Sequence, residues 1–229
     1  MNGYFLRLAV IVLLFLGGRS LAQPVIRVLY EGQGGVVVRD AANGDAAPRH
    51  TLYAHGAESV SVQGEPGLKD GKLELKDGSY IYLNLSDSLY LMHGSAITSW
   101  VFVKEQPVKM LEWTVHDETK QIAGKVCRRA TAVQEQGGAT IEAWFCDEIP
   151  VPFGPSSFFG ALGLVMEVTF GAQYYRAMRV EYLPSDNFKI QLPEVKNAIS
   201  RKEYHDRISE TIQNIIRQVE REEDAVGAD

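Results

Sequence analysis

The chain has 229 residues, of which 45% are hydrophobic, and a formal net charge of −6 at pH 7. An acidic chain lacks the basic surface that nucleic acids and anionic membranes require, so we expect neither partner. The five histidines are dispersed and there are only two cysteines, so we predict no metal site and no cofactor.

The first 22 residues are typical of a cleaved signal peptide. Arg7 precedes an apolar run at residues 8–16, and Ala22 ends a Ser-Leu-Ala sequence that signal peptidase can cut. The run is shorter than the roughly 20 residues that a membrane-spanning helix needs. We therefore predict export, with a retained anchor as the alternative. Loss of Arg7 and Arg19 makes the net charge of the mature chain −8.

Strand-like segments dominate the sequence that follows. Alternating or β-branched runs are separated by Gly, Pro, Asn and Asp, which is typical of hairpin-linked strands. Residues 32–48 are rich in Gly, Ala, Asn and Asp and are predicted to form a loop. The predicted strands are residues 25–30, 51–53, 58–62, 72–76, 79–85, 88–92, 98–103, 110–115, 121–133, 140–146, 164–170, 174–183 and 188–192.

The pattern predicts a mainly β fold: a single antiparallel, strongly curved sheet or half-open β-barrel, with a C-terminal amphipathic helix. We expect one domain over residues 23–220. Asp77-Gly78 fits a two-residue turn, so residues 72–76 and 79–85 are predicted to pair as a hairpin.

The two cysteines flank another predicted hairpin. If its turn is centred between Gln136 and Gly137, Cys127 lies directly opposite Cys146. Directly opposed residues on antiparallel strands are close enough for a disulfide. We predict a Cys127–Cys146 disulfide, and two buried free thiols are the alternative.

The crossover segment at residues 148–170 crowds aromatics, prolines and glycines together. Its prolines lack amide donors, so residues 149–155 cannot form a central strand. We expect Phe153, Phe158, Phe159 and Leu162 to line an apolar ligand-binding surface. The alternative is that these side chains fill the core.

A helix is predicted at residues 200–220. Ser200 and Glu203 form a capping box, and Ile199 and Tyr204 occupy the positions of a hydrophobic staple. The apolar stripe recurs at helical spacing at Tyr204, Ile208, Ile212, Ile215, Ile216 and Val219. We expect this stripe to dock on the sheet, while a partner-binding or dimer helix is the alternative. Residues 221–229 are expected to be a disordered acidic tail.

No catalytic motif is complete. The sequence has no nucleophile elbow, zinc-binding helix, P-loop or dinucleotide fingerprint. The densest polar group is His116, Asp117 and Glu118, predicted at a hairpin tip. This group contains a potential general acid and base, although polar residues are also ordinary components of turns. We assign no catalytic residues.

Several motifs, in one order along residues 110–170, resemble the GLPGLI family of exported proteins. They include Trp113, Cys127, Ala143, Pro150, Gly154, Phe158 and GALGLV at residues 160–165. The resemblance implies an envelope protein, periplasmic or secreted, of a Gram-negative bacterium. The family has no established activity, so the resemblance implies no catalytic assignment.

Our functional hypothesis is a non-enzymatic binding or accessory module of the envelope. Its partner is expected to be an apolar small molecule, a peptide or an envelope protein. Two alternatives remain open: a secreted hydrolase that uses residues 116–118, and a structural component of a surface complex.

Overall fold

The structure is a computed structural model, and it describes residues 23–33, 49–75, 78–97, 99–134 and 138–226. The predicted signal peptide at residues 1–22 lies outside the described residues, and so does most of the predicted loop at residues 32–48. Within the described ranges, no helix has the length and apolarity needed to cross a bilayer.

The described residues form thirteen strands and one helix. Their bounds are β1 (Val25–Gln33), β2 (Arg49–His55), β3 (Glu58–Gln63), β4 (Lys72–Glu74), β5 (Tyr80–Asn84), β6 (Leu89–Ser95), β7 (Trp100–Glu105), β8 (Thr114–Ile122), β9 (Lys125–Val133), β10 (Thr140–Cys146), β11 (Leu164–Phe170), β12 (Gln173–Leu183), β13 (Lys189–Gln191) and α1 (Arg201–Val226).

Eleven of these strands build one antiparallel sheet in the order β7-β6-β5-β3-β2-β1-β12-β11-β10-β9-β8. Strands β4 and β13 form a separate parallel pair. The large sheet does not close on itself. The mainly β prediction is confirmed, and the open, curved sheet is the form that the structure supports.

Strands β1 to β3 and β5 to β7 bury side chains on both faces of the large sheet. One face, which we call the loop face, contributes Val28 and Leu52 to the larger core, and the crossover loop at residues 147–163 packs on it. The other face, which we call the opposite face, contributes Tyr53 and Leu91 to a second core. Side chains of β4 and β13 complete this second core.

Among the described residues, β4 and β5 do not pair with each other as the predicted hairpin requires. Strand β5 lies between β3 and β6, while β4 pairs with β13 from far along the chain. The backbone amide of Leu75 donates to the carbonyl of Gln191 at 3.1 Å. Pairing on both sides satisfies the backbone groups on both edges of β5, which a two-stranded hairpin cannot do.

The sequence analysis places the β8–β9 turn too early, at residues 116–118, and it also begins the strand before that turn too early. Residues 110–113 are not in a strand, and the single ribbon predicted over residues 121–133 is divided by a turn at Ala123 and Gly124. Both residues have positive φ, 48° and 74°, as a tight hairpin turn requires.

The cysteines adopt the predicted register without the predicted bond. The β9–β10 ladder pairs Arg128 with Phe145, so Cys127 and Cys146 are the next positions along it. Both cysteines are buried free thiols in the structure, which corrects the disulfide prediction. Burial raises the pKa of Cys127 to about 12 and also raises the pKa of Cys146. Burial disfavours the charged thiolate, so both side chains are held as neutral thiols.

Helix α1 begins as predicted and then departs from expectation. The Glu203 amide donates to Ser200 Oγ at 3.1 Å, which confirms the N-cap. The Tyr204 hydroxyl, in the first turns of the helix, donates to the Ser95 carbonyl at 2.9 Å. Further along, the stripe is not docked, because its last four members are 42–50% exposed: Ile212, Ile215, Ile216 and Val219. The helix also continues to Val226 instead of ending at residue 220.

Candidate functional site

Of the four residues expected from the sequence to line a ligand surface, the structure brings three together in the core and leaves the fourth apart from them. Phe153, Phe158 and Phe159 are at most 4% exposed and belong to the core of the loop face, whereas Leu162 is 71% exposed. The crossover loop approaches the strands very closely at Gly163, where a Cβ would lie 2.2 Å from the carbonyl oxygen of Cys146. The alternative that the sequence left open, core filling, describes the three phenylalanines.

The polar group at residues 116–118 is not at a hairpin tip. It lies within β8, at the register shift between Val115 and Thr119. His116 Nε2 lies 2.8 Å from Thr131 Oγ1, and Glu118 pairs with Arg129 at 3.1 Å. A backbone hydrogen bond and Arg129 lower the pKa of Glu118, so this side chain is held as a carboxylate and is a poor general acid.

A cavity of about 270 Å³ lies on the loop face. Its lining comes from strands β2, β3, β5, β6, β7 and β12, the crossover loop and the first turns of α1. Most of the lining side chains are polar hydrogen-bonding groups: Ser61, Ser79, Ser156, Ser157, Gln63, Gln173, Tyr90, Tyr175, Tyr204, His50 and His205. The other lining residues are Ile81, Met92, Val103, Arg201 and Tyr80, and the ring of Tyr80 belongs to the second core on the opposite face.

Strand register explains why these residues meet. His50 pairs with Gln63 across β2 and β3, and Ser61 pairs with Ile81 across β3 and β5. Directly paired residues point to the same face of a sheet. The crossover loop is attached to this face because the Ser156 amide donates to Ser61 Oγ at 2.9 Å.

Burial keeps the floor of the cavity uncharged. His50 and Tyr175 meet edge to face, with ring centroids 4.9 Å apart. Desolvation lowers the pKa of His50 to about 4 and raises the pKa of Tyr175. The imidazole is therefore neutral near pH 7 and offers one donor and one acceptor.

The one charged lining residue among those described is Arg201, and its charge is balanced. Its guanidinium lies 2.9 Å from the carboxylate of Glu105 and 4.7 Å above the ring of Tyr90. No Asp or Glu belongs to the described lining of the cavity. The chemistry of this lining is therefore neutral hydrogen bonding combined with aromatic contact, which does not fit the apolar ligand expected from the sequence.

Within the described ranges, no group of three or more His, Cys, Asp and Glu side chains is arranged to hold a metal ion. The described cavity lining also lacks the paired carboxylates that many hydrolases use. The arrangement suits binding of a polar, uncharged ligand.

The cavity residues were missed because they are scattered over most of the chain. One local signal was present in β3, where Ser59, Ser61 and Gln63 alternate with Val60 and Val62. Such an alternation places the polar residues on one face of the strand. It did not reveal which other strands would face them.

The family described as N-glycanase peptide, N-terminal domain, matches residues 95–207, just under half of the chain. Two solved structures of PNGF-II, in the C2 and P21 space groups, are similar with TM-scores of 0.53 and 0.55 at 15% and 16% sequence identity. Each similarity covers 81% of this chain, which spans about a third of the PNGF-II chain (32% and 33%). No curated protein sequence matches.

These findings correct the GLPGLI resemblance. The family match includes all of residues 110–170, on which that resemblance rested, and it assigns them to a different family description. Short motifs of glycine, proline and aromatic residues recur in unrelated β proteins because turns and close packing demand them. The chain is thus similar in fold to PNGF-II and, over residues 95–207, in sequence to the N-terminal domain of an N-glycanase peptide.

Proposed function

We propose that this protein is a non-catalytic carbohydrate-binding module, and that its cavity receives part of a glycan carried by a peptide or protein. The observation that carries the proposal is the cavity lining. Among the described residues, it combines the rings of Tyr90, Tyr175 and Tyr204 with serine, glutamine and histidine side chains and contains no carboxylate.

Sugars present many hydroxyl groups and few charges. Neutral side chains that both donate and accept, such as those of Ser, Gln, Tyr and neutral His, match this pattern. The faces of tyrosine rings supply the apolar contact that orients a ligand in such a site. The balanced Arg201–Glu105 pair leaves no net attraction for a strongly charged ligand.

The comparisons support the class of glycan that we propose. The matching family is described as the N-terminal domain of an N-glycanase peptide, so an N-linked glycan is the natural candidate. This chain spans about a third of PNGF-II, and we propose that it acts as a binding module. We also propose that it is exported, since residues 1–22 are typical of a signal peptide and glycoproteins occur largely outside the cytoplasm.

Calorimetric titration tests the binding proposal. The probes are a glycopeptide with one neutral N-glycan, the same peptide without its glycan, and the free glycan. We expect binding of the first and third only. Gln63→Ala and Gln173→Ala should each weaken binding by roughly threefold to tenfold, as loss of one hydrogen bond predicts. Gln121→Ala, an exposed glutamine on β8, is the matched control and should bind like the wild type.

The same samples test the hydrolase alternative. After prolonged incubation with the protein, mass spectrometry should show the glycopeptide intact. Release of the glycan, abolished by Asp117→Ala, would replace the binding proposal with a hydrolase that uses residues 116–118.

A further inference from the structure

A row of aromatic side chains lies on the opposite face of the sheet, near its β7 edge. Tyr80, His93 and Phe102 occupy directly paired positions on β5, β6 and β7. The ring of His93 lies 5.5 Å from that of Tyr80 and 4.7 Å from that of Phe102. Directly paired residues share a face, so these rings form one continuous layer across three strands.

Trp100 extends this layer into solvent. It lies two residues before Phe102 on β7, so both side chains point to the same face. Its indole stacks on His93 with centroids 5.1 Å apart and planes inclined by 23°. His93 is itself fixed, because its Nδ1 donates to the Gly78 carbonyl at 2.7 Å. Trp100 nevertheless remains 57% exposed.

This arrangement holds a tryptophan rigidly while leaving much of its ring open. A large exposed aromatic side chain is informative because burial would release about 25 cal/mol for each Å² of its apolar surface. The stack on His93 reduces the motion of the indole, so a ligand that contacts it loses little side-chain entropy. We call Trp100, His93 and Phe102 the Trp100 platform.

The surroundings of the platform indicate the class of ligand. The exposed residues near Trp100 in the β6–β7 hairpin are Ser95, its partner across the ladder, Ser99, which precedes it, and Ile97, which is 43% exposed. One apolar neighbour is fewer than the interface core of a protein partner would present around the tryptophan. Small hydroxyl groups beside an open aromatic face instead match a sugar ring. Its C–H bonds carry partial positive charge toward the negative face of the indole, and its hydroxyl groups hydrogen bond at the rim.

We propose that the Trp100 platform is a second carbohydrate site, which stacks one pyranose ring of a glycan on the exposed face of Trp100. The class of ligand rests on the proposed function. The platform itself is separate from the cavity, because the cavity lies on the loop face and the platform lies on the opposite face. One sugar residue cannot occupy both sites. The platform would contact another branch of the same glycan or a neighbouring chain, and thereby raise the overall affinity for branched or clustered glycans.

A single type of spectrum can report on both sites. In ¹⁵N-labelled protein, the indole Nε1–H signal of Trp100, assigned with Trp100→Phe, reports on the platform. The side-chain amide signals of Gln63 and Gln173 report on the cavity. Titration with the neutral N-glycopeptide and with the free glycan should shift the Trp100 indole signal, and the peptide without glycan should not. An unchanged Trp100 signal, or an equal shift with the bare peptide, would overturn the proposal.

The two proposals can fail independently. Shifts at the glutamines alone would retain the cavity and reject the platform, while a shift at Trp100 alone would do the reverse.

Trp100→Ala should lower affinity for the glycopeptide by up to about tenfold without changing the melting temperature. Tyr182→Ala removes another exposed aromatic ring, 53% exposed on β12, and should leave affinity unchanged. Equal losses in the two variants would reject a specific role for Trp100.

Discussion

Phe158 belongs to the core and also supports the cavity. Its ring lies 6.2 Å from that of Phe170 and 6.3 Å from that of Tyr175, and Tyr175 lines the cavity. With 4% of its surface exposed, Phe158 is not available to a ligand. Its contribution to binding is therefore indirect, through the position of the Tyr175 ring.

We expect Phe158→Ala to lower the free energy of unfolding by about 3–5 kcal/mol, because the truncation leaves a cavity in a packed core. Urea denaturation measures this loss. Leu162→Ala, four residues along the same loop, should change stability by less than about 0.5 kcal/mol because its side chain is largely exposed. Similar values for the two variants would contradict the placement of Phe158 in the core.

His50 makes stability depend on pH. Its pKa falls from 6.5 to about 4 in the folded chain because burial disfavours the imidazolium form. Between these two values the unfolded chain binds a proton that the folded chain does not, so stability decreases as pH falls through this window. His50→Gln should reduce the decrease, measured as the change in urea midpoint between about pH 7 and about pH 4.5.

The matched control for this prediction is His205→Gln, which removes an exposed histidine. It should keep the wild-type dependence on pH. An identical pH profile for the wild type and His50→Gln would show that His50 titrates normally in the folded protein.

At the scale of elements, helix α1 is amphipathic but largely unpacked beyond its first turns. Ile215 is 48% exposed. We expect Ile215→Glu to shift the free energy of unfolding by less than about 0.5 kcal/mol, as for other surface substitutions. Thermal unfolding followed by circular dichroism provides the measurement. The buried counterpart Ile141→Glu, at a site 3% exposed on β10, should instead prevent stable folding. A large loss with Ile215→Glu would mean that the helix docks on the sheet in solution.

Elements defined by neighbouring residues were predictable, whereas those defined by distant partners were not. The β9–β10 register and the Ser200 cap follow from local turn and capping chemistry, and the structure has both. The pairing of β4 with β13 joins segments more than a hundred residues apart, and no local pattern specifies it. The Asp77-Gly78 signal was real turn chemistry, but tertiary pairing of β5 with β3 overrode it.

At the scale of the whole molecule, one core joins the two halves of the sheet. The larger core contains Val28 of β1, Tyr90 of β6, Ala130 of β9 and Phe145 of β10, together with the crossover loop. A shared core couples the stability of the elements that contribute to it. The chain should therefore unfold as one unit despite the length of its open sheet.

We expect a single urea transition with the same midpoint by tryptophan fluorescence and far-ultraviolet circular dichroism. The tryptophans lie toward both ends of the sheet, with Trp100 on β7 and Trp144 on β10, so fluorescence samples both halves. Two separated transitions would show that the halves unfold independently.

The cavity is also a property of the whole molecule, and for that reason the sequence did not predict it. The cavity lining joins His50, Ser61, Ser156 and Tyr175 from four separate segments of the chain. Each of these residues is unremarkable in its local sequence. Their shared position depends on strand order and register across the sheet, which are set by long-range packing.

The open sheet leaves β8 as a terminal strand, and such a strand can recruit another polypeptide through its unpaired backbone groups. The register shift between Val115 and Thr119 interrupts the regular spacing of those groups, and Asp117 and Glu118 place exposed negative charge beside them. Irregular geometry and like charge both oppose strand-to-strand aggregation of identical copies. We therefore expect the polar cluster at residues 116–118 to oppose pairing of β8 with the same strand of a second copy.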